Sequence, residues 1–208
     1  MIQKDFDAVS DLIQLKERDV YTPFALSRRV EDDSIAIKKI IFSYGYYDSK
    51  VLITTDKSTS SQNDFTVNIK IYTGTRYKIK TLSTEYKRPL KDTKPCVLEE
   101  KEYDFEFGKE FEAEDVLDTF DEIKTHLGTC GYPFAKVLSH KAVINRAQKT
   151  VDLRVKIDQG PFVKFGVVKV ISKGKVPNSF IQNRSPLEAG EPYNQDKVDE
   201  YQDALSTT

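Results

Sequence analysis

Cysteine and histidine are scarce in these 208 residues, two of each. Cys96 and Cys130 are too few for the disulfide framework of a small secreted domain. Two thiols are the default expectation, with a single bridge left open for an oxidising compartment. His126 and His140 do not stand at zinc-ligand spacing with a cysteine or with each other, so both read as surface residues and no metal site is expected. There is no G-x-S-x-G elbow and no glycine loop to cradle a phosphate. Asp32-Asp33 and Glu99-Glu100 are adjacent pairs, and neighbours in sequence point apart on a helix, so they read as solvated faces. The sequence therefore carries no catalytic constellation, and neither an enzyme nor a cofactor is expected. No apolar stretch approaches the roughly 20 residues of a membrane-spanning helix. Met1 to Asp7 shows no basic segment followed by an apolar one, so no secretory signal is read in the sequence as written.

The net charge is −1, which calls for no nucleic-acid partner. The charge is unevenly spread, however. Leu98 to Glu122 holds twelve acidic and two basic residues, and Lys136 to Lys175 holds ten basic and two acidic. Such segments read first as solvated faces, and second as a dipolar surface that orients a partner. Gly128-Thr129-Cys130-Gly131 fits the G-x-x-G that clamps a nucleic-acid backbone. It joins a helix to a strand rather than two helices, and it follows the most acidic part of the chain, so it is not read as that clamp.

What the chain does have is an internal repeat. Gly45-Tyr46-Tyr47 recurs as Gly131-Tyr132-Pro133, and Gly74 recurs as Gly160, both at an offset of 86 residues. Between these markers Phe65, Val67, Ile69 and Ile71 correspond to Val151, Leu153, Val155 and Ile157. Lys50-Val51 corresponds to Lys136-Val137. A further copy begins at Gly190-Glu191-Pro192-Tyr193, which resembles Gly108-Lys109-Glu110-Phe111 at an offset of 82, with Val198 matching Val116. The expected units are 1–75, 76–161 and 162–208.

Within a unit, Val116, Leu117, Phe120, Ile123 and Leu127 fall on one face of an amphipathic helix. Val30, Ile37 and Ile41, with Ile40 beside them, do the same in the first unit. Gly45 and Gly131 follow these helices, where a helix stop favours positive φ. Val151 to Ile157 alternates strictly, the mark of a strand with one buried face. Ser58 to Asn63 and Asn145 to Gln148 read as turns between antiparallel strands. Tyr77 to Tyr86 and Phe162 to Ile171 read as strands leading from one unit to the next. Three strands with one apolar face and two covering helices make a two-layer α+β module.

Gly131-Tyr132-Pro133-Phe134-Ala135-Lys136-Val137, Thr150 to Val155, Asp158-Gln159-Gly160-Pro161 and Phe165 to Val170 together resemble a POTRA (polypeptide-transport-associated) domain. Leu26 to Asp33 with Gly45-Tyr46-Tyr47-Asp48 resembles it in the first unit, and Gly190 to Asn194 looks like the start of another copy. The resemblance covers nearly the whole chain. It is nearest to the three-POTRA arm of the outer-membrane subunit of the translocation and assembly module, in the barrel-assembly superfamily. It implies tandem βααββ modules, each a three-stranded mixed sheet covered on one face by two helices. It also implies a location on the periplasmic face of the bacterial outer membrane. Against that pattern the first unit is expected to lack its opening strand and the third to stop within its second helix. No membrane β-barrel has room here, since one needs many segments of about 10 residues. The chain is thus expected to be a piece of a longer protein that meets the membrane only through a barrel outside it.

A three-stranded sheet has edges, and an edge strand offers unpaired N–H and C=O groups to an extended peptide. The resemblance puts that edge on the strand after the glycine-tyrosine turn, Asp48 to Thr55 and Ala135 to Val143. The candidate contacts are Val51, Leu52, Ile53, Ala135, Lys136 and Val137; the plainer reading is that alternate residues of this set pack on the helices. Gly45, Gly74, Gly131 and Gly160 are candidate structural turns, the second and fourth at the joints between units. Tyr46, Tyr47, Tyr132 and Phe134 read as core plugs or inter-domain contacts. The expected partners are unfolded outer-membrane proteins or autotransporter-like clients and a partner subunit of an assembly complex. The alternatives are a scaffold that only positions partners in a secretion or cell-division complex, and a fragment of a split gene with no function of its own.

Overall fold

The computed structural model describes residues 2–15, 23–57, 65–90, 106–171 and 177–206. The turn expected at Ser58 to Asn63, the thiol of Cys96 and the Glu99-Glu100 pair lie outside them, as does part of the acidic segment. The elements run α1 (Ile2–Val9), α2 (Asp11–Gln14), α3 (Pro23–Ser43), β1 (Lys50–Lys57), β2 (Phe65–Tyr72), β3 (Lys78–Tyr86), α4 (Ala113–Thr129), β4 (Lys136–Asn145), β5 (Thr150–Asp158), α5 (Asn178–Gln182) and α6 (Gln195–Ser206). This is an α+β fold. The chain divides into two compact units, residues 1–81 with 107–115 and 143–152, and residues 82–106 with 116–142 and 153–208.

In the first unit, α3 buries Leu26, Asp33, Ile37 and Ile41, spaced seven, four and four apart along one stripe. Ile37 and Ile41 meet Phe6 of α1, with Val51 of β1 and Ile69 of β2 packed against them. Each such aliphatic side chain contributes roughly 1.5–3 kcal/mol by leaving water. β1 and β2 pair antiparallel, with Val51 opposite Ile71 and Ile53 opposite Ile69. Asp33 corrects the solvated-face reading of Asp32-Asp33. It is 1% exposed, in the middle of the apolar stripe. Its carboxylate accepts from Ser10 Oγ at 2.5 Å, Asp11 N at 2.8 Å and Leu12 N at 3.2 Å. It thus satisfies the free N–H groups that open α2.

In the second unit, α4 buries Val116, Phe120, Ile123 and Leu127. Leu117, placed on the same face by the sequence, is 54% exposed. Its offset of one residue from Val116 turns it about 100° away along a 3.6-residue helix.

β3, β5 and β4 form a three-stranded sheet in that order, with β5 central. β5 buries Val151, Leu153, Val155 and Ile157 and turns the alternate residues outward. β3 runs parallel to it: Thr81 bonds Asp152, Lys156 bonds Glu85 and Lys87 bonds Asp158, at one constant separation of 71 residues. β4 and β5 are joined by the tight turn Arg146 to Lys149, which only an antiparallel pair allows. Lys149 takes the left-handed conformation there, φ 55°.

The strand expected from Phe162 to Ile171 is not formed. Lys164 alone makes an isolated bridge, to Pro192. Val167 and Ile171 are exposed. Neighbours take the backbone bonds of Val163 and Phe165 only, and past them alternation alone does not make a strand.

The repeat is visible in the backbone as well as the sequence. In the first unit Tyr77 N donates to Gly45 O, Phe111 N to Tyr77 O, Ile79 N to Lys109 O and Gly108 N to Ile79 O. In the second, Val163 N donates to Gly131 O, Tyr193 N to Val163 O, Phe165 N to Glu191 O and Gly190 N to Phe165 O. The bridge of Lys78 with Glu110 is matched by that of Lys164 with Pro192. Each of these residues is the repeat equivalent of its counterpart.

Candidate edge-strand site

The glycine corner before each hairpin is set by close approach. Gly45 has φ +80°, and a β-carbon there would lie 2.9 Å from the carbonyl oxygen of Phe111. Gly131 has φ +93° and is overlain by the ring of Phe162. Gly74 and Gly160 also have positive φ. Only glycine takes such backbone without strain.

The corner is packed with aromatics, unequally. Tyr47 stands edge-on to Tyr77 and Phe111, with centroids 5.3 and 5.6 Å away, and burial pushes its phenol well above the usual range. Tyr132 is buried against Phe162. Tyr46 is half-buried under the guanidinium of Arg76. Phe134 is no core plug, being 59% exposed, because its repeat equivalent is the polar Asp48 and the position faces outward.

Beyond the second corner runs β4. Ala135 lies one residue before the strand, its N–H bonded to Tyr132 O. Lys136 is exposed and Val137 half-buried. Leu138 is 49% exposed, and Ser139, His140, Lys141 and Ala142 are exposed too. β4 ends the strand order. β3 ends it on the other side, where the backbone of Ile79 is already taken, its N–H donating to Lys109 O and its carbonyl accepting from Gly108 N. β4 is thus an edge strand of this sheet. In the first unit Val51 and Ile53 are half-buried on the helix side, and Leu52, at 55% exposure, lies on the other. The six sequence candidates thus divide between inward and outward positions.

Sequence reasoning missed a polar cluster in the first unit. Asp48 accepts from Lys149 Nζ at 2.5 Å, Arg146 Nη1 at 2.8 Å and Tyr77 Oη at 2.9 Å. The Lys149 and Tyr77 hydrogen bonds hold the Asp48 carboxyl below its usual range. Burial, helped by Asp48, pushes the Tyr77 phenol up. Arg76, also missed, donates to Tyr44 O at 2.8 Å and Glu110 at 2.7 Å and pairs with Glu112. No motif signals either cluster, because each joins residues far apart in sequence. Cys130 is half-buried with His126 Nε2 3.9 Å from its sulfur. His140 stacks on Phe120 at 5.3 Å. Among the described residues, no three His, Cys, Asp or Glu side chains gather as a metal site would require. No described helix is long and apolar enough to cross a membrane.

Residues 4–74 match the family described as POTRA, surface antigen variable number repeat. The chain thus contains a POTRA domain over residues 4–74, and the 86-residue repeat carries the same sequence pattern on to the second hairpin. Among curated proteins it is similar to the outer membrane protein assembly factor BamA of Neisseria meningitidis serogroup B, 22% identical over 193 residues. That alignment covers 89% of this chain and 24% of BamA, so the chain spans about a quarter of its relative's length. Among solved structures it is similar to POTRA domains 3–5 of Haemophilus influenzae BamA, with 17% identity and a TM-score of 0.47, covering 86% of this chain and 69% of that one. It is also similar to POTRA domains 1–3 of the periplasmic domain of Omp85 from Anabaena, with 16% identity and a TM-score of 0.41, covering 87% and 71%.

Proposed function

We propose that this chain is a non-enzymatic periplasmic arm of an outer-membrane protein assembly factor, built of POTRA repeats over 1–75, 76–161 and 162–208. It engages unfolded client strands by adding them to the edge of its sheet. The likeness to BamA supports the assembly role and the periplasmic location. The observation that carries the binding mode is the open edge of β4, exposed from Leu138 to Ala142 at the end of the order β3-β5-β4. Main-chain hydrogen bonds to such an edge give affinity without demanding one sequence, which suits a factor with many clients. β1, with Val51, Leu52 and Ile53, offers a second edge of the same kind. The partners are unfolded outer-membrane proteins and a subunit of the assembly complex; the membrane is reached through a β-barrel, and no nucleic acid takes part.

Site-specific photo-crosslinking tests this. A photoreactive residue at Val137 or Lys141 is expected to trap an unfolded outer-membrane protein, and one at Gln202 on α6 is not. A folded chain whose β4 probes trap nothing contradicts the client role and favours a scaffold that positions partners through its paired joints.

A further inference from the structure

We propose that β4 selects strands that alternate apolar and acidic residues. This rests on the reading of β4 as a client-binding edge and names the chemistry of the client. A strand added to a sheet continues its pleat, so its side chains alternate between the two faces. The two faces of β4 differ. His140 stacks on Phe120 of α4, which places His140, and with it Leu138 and Ala142, on the helix side. Leu138 is half-exposed there and offers an apolar neighbour to an incoming side chain. Lys141, one residue on from His140, lies on the opposite face. Arg154 of the adjoining β5 shares that face, since Leu153 and Val155 on either side of it are buried.

On the far side of that face Lys156 pairs with Glu85 and Lys87 with Asp158, while Asp152 accepts from the uncharged Thr81 hydroxyl. Lys141 and Arg154 are exposed and make no ion pair among the described residues. On the edge strand itself the unmatched charge is the positive Lys141, with Arg154 one strand further in, and it sits on the face away from the acidic helix α4. A carboxylate on the added strand would stand about 5 Å from Lys141, where opposite charges favour pairing about 1.5- to 5-fold, and about 10 Å from Arg154 one strand further in, which adds a weaker attraction.

The probes are three peptides of about nine residues, a strand length, alternating valine with glutamate, glutamine or lysine. Binding to the whole chain is measured together with hydrogen exchange over 136–145. The glutamate peptide is expected to bind several-fold more tightly than the glutamine one and the lysine peptide most weakly, with the preference shrinking at high salt. Lys141→Gln with Arg154→Gln is expected to erase the preference and leave protection of β4 by the glutamine peptide intact. Equal affinity for all three peptides, each protecting β4, overturns the charge selection and leaves the edge reading standing. Protection of β4 by none of them overturns both.

Discussion

Lys149 Nζ donates to Asp48 Oδ2 across 101 residues of sequence. Lys149 ends the β4–β5 turn in the left-handed conformation, and Arg146 from the same turn donates to the other carboxylate oxygen. This cluster gives the first unit a pH signature. The folded-state pKa of Asp48 is lowered, chiefly by Lys149 and then by Tyr77. Its contribution to stability is present above the unfolded carboxyl value of about 3.9 and is lost as pH falls through the lower folded value. Lys149 has a raised pKa, chiefly from the Asp48 hydrogen bond. Its contribution is present below the ordinary lysine value and is lost as pH rises through the folded one. Chemical denaturation between neutral pH and pH 3 is expected to show a steeper loss in the wild type than in Asp48→Asn.

Gly45→Ala is expected to destabilise the first unit by about 1–3 kcal/mol, through strain at positive φ and collision with the Phe111 carbonyl. Gly108→Ala shares the positive φ but has nothing within 4 Å of the added carbon, so it is expected to cost only about 1 kcal/mol. Urea unfolding of the two variants separates the effects.

Asp33→Ala removes the acceptor for Ser10 Oγ and two backbone N–H groups. The loss is expected to be about 2 kcal/mol, from the cap and the buried hydroxyl left without its acceptor. Calorimetry should show Ser10→Ala costing less, and the double variant less than the sum, because the two share one bond.

Arg76→Lys keeps the charge but not the fork that reaches Glu110, Glu112 and the Tyr44 carbonyl together. With its side chain 19% exposed, a loss of about 2 kcal/mol in thermal unfolding is expected, against near-neutrality for Lys197→Arg at the exposed pair with Glu191.

The parts of this fold that repeat were legible in the sequence. Val151 to Ile157 alternates because β5 buries one face, and Gly45 and Gly131 stand 86 residues apart because each corner closes over the segment that follows it. What could not be read is what pairs across distance. The separation of 71 residues between β3 and β5 follows from parallel pairing, which leaves no turn signature. Asp33 occupies an apolar stripe because α2 begins against it, and its pattern alone looks like a surface acid. Leu117 and Phe162 to Ile171 mark the opposite error, where apolar periodicity continues beyond the packing partner it needs. At the candidate site the strand was readable, but not the Lys141–Arg154 face, which depends on how β4 lies beside β5 and α4.

The central claim is that β4 is an edge built to receive another strand, and hydrogen exchange tests it most directly. The chain is compared alone and with an excess of an unfolded outer-membrane protein segment. New protection is expected along Lys136–Asn145, with α3 unchanged. A chain that stays folded, binds the segment and shows no slowing in β4 would contradict the account.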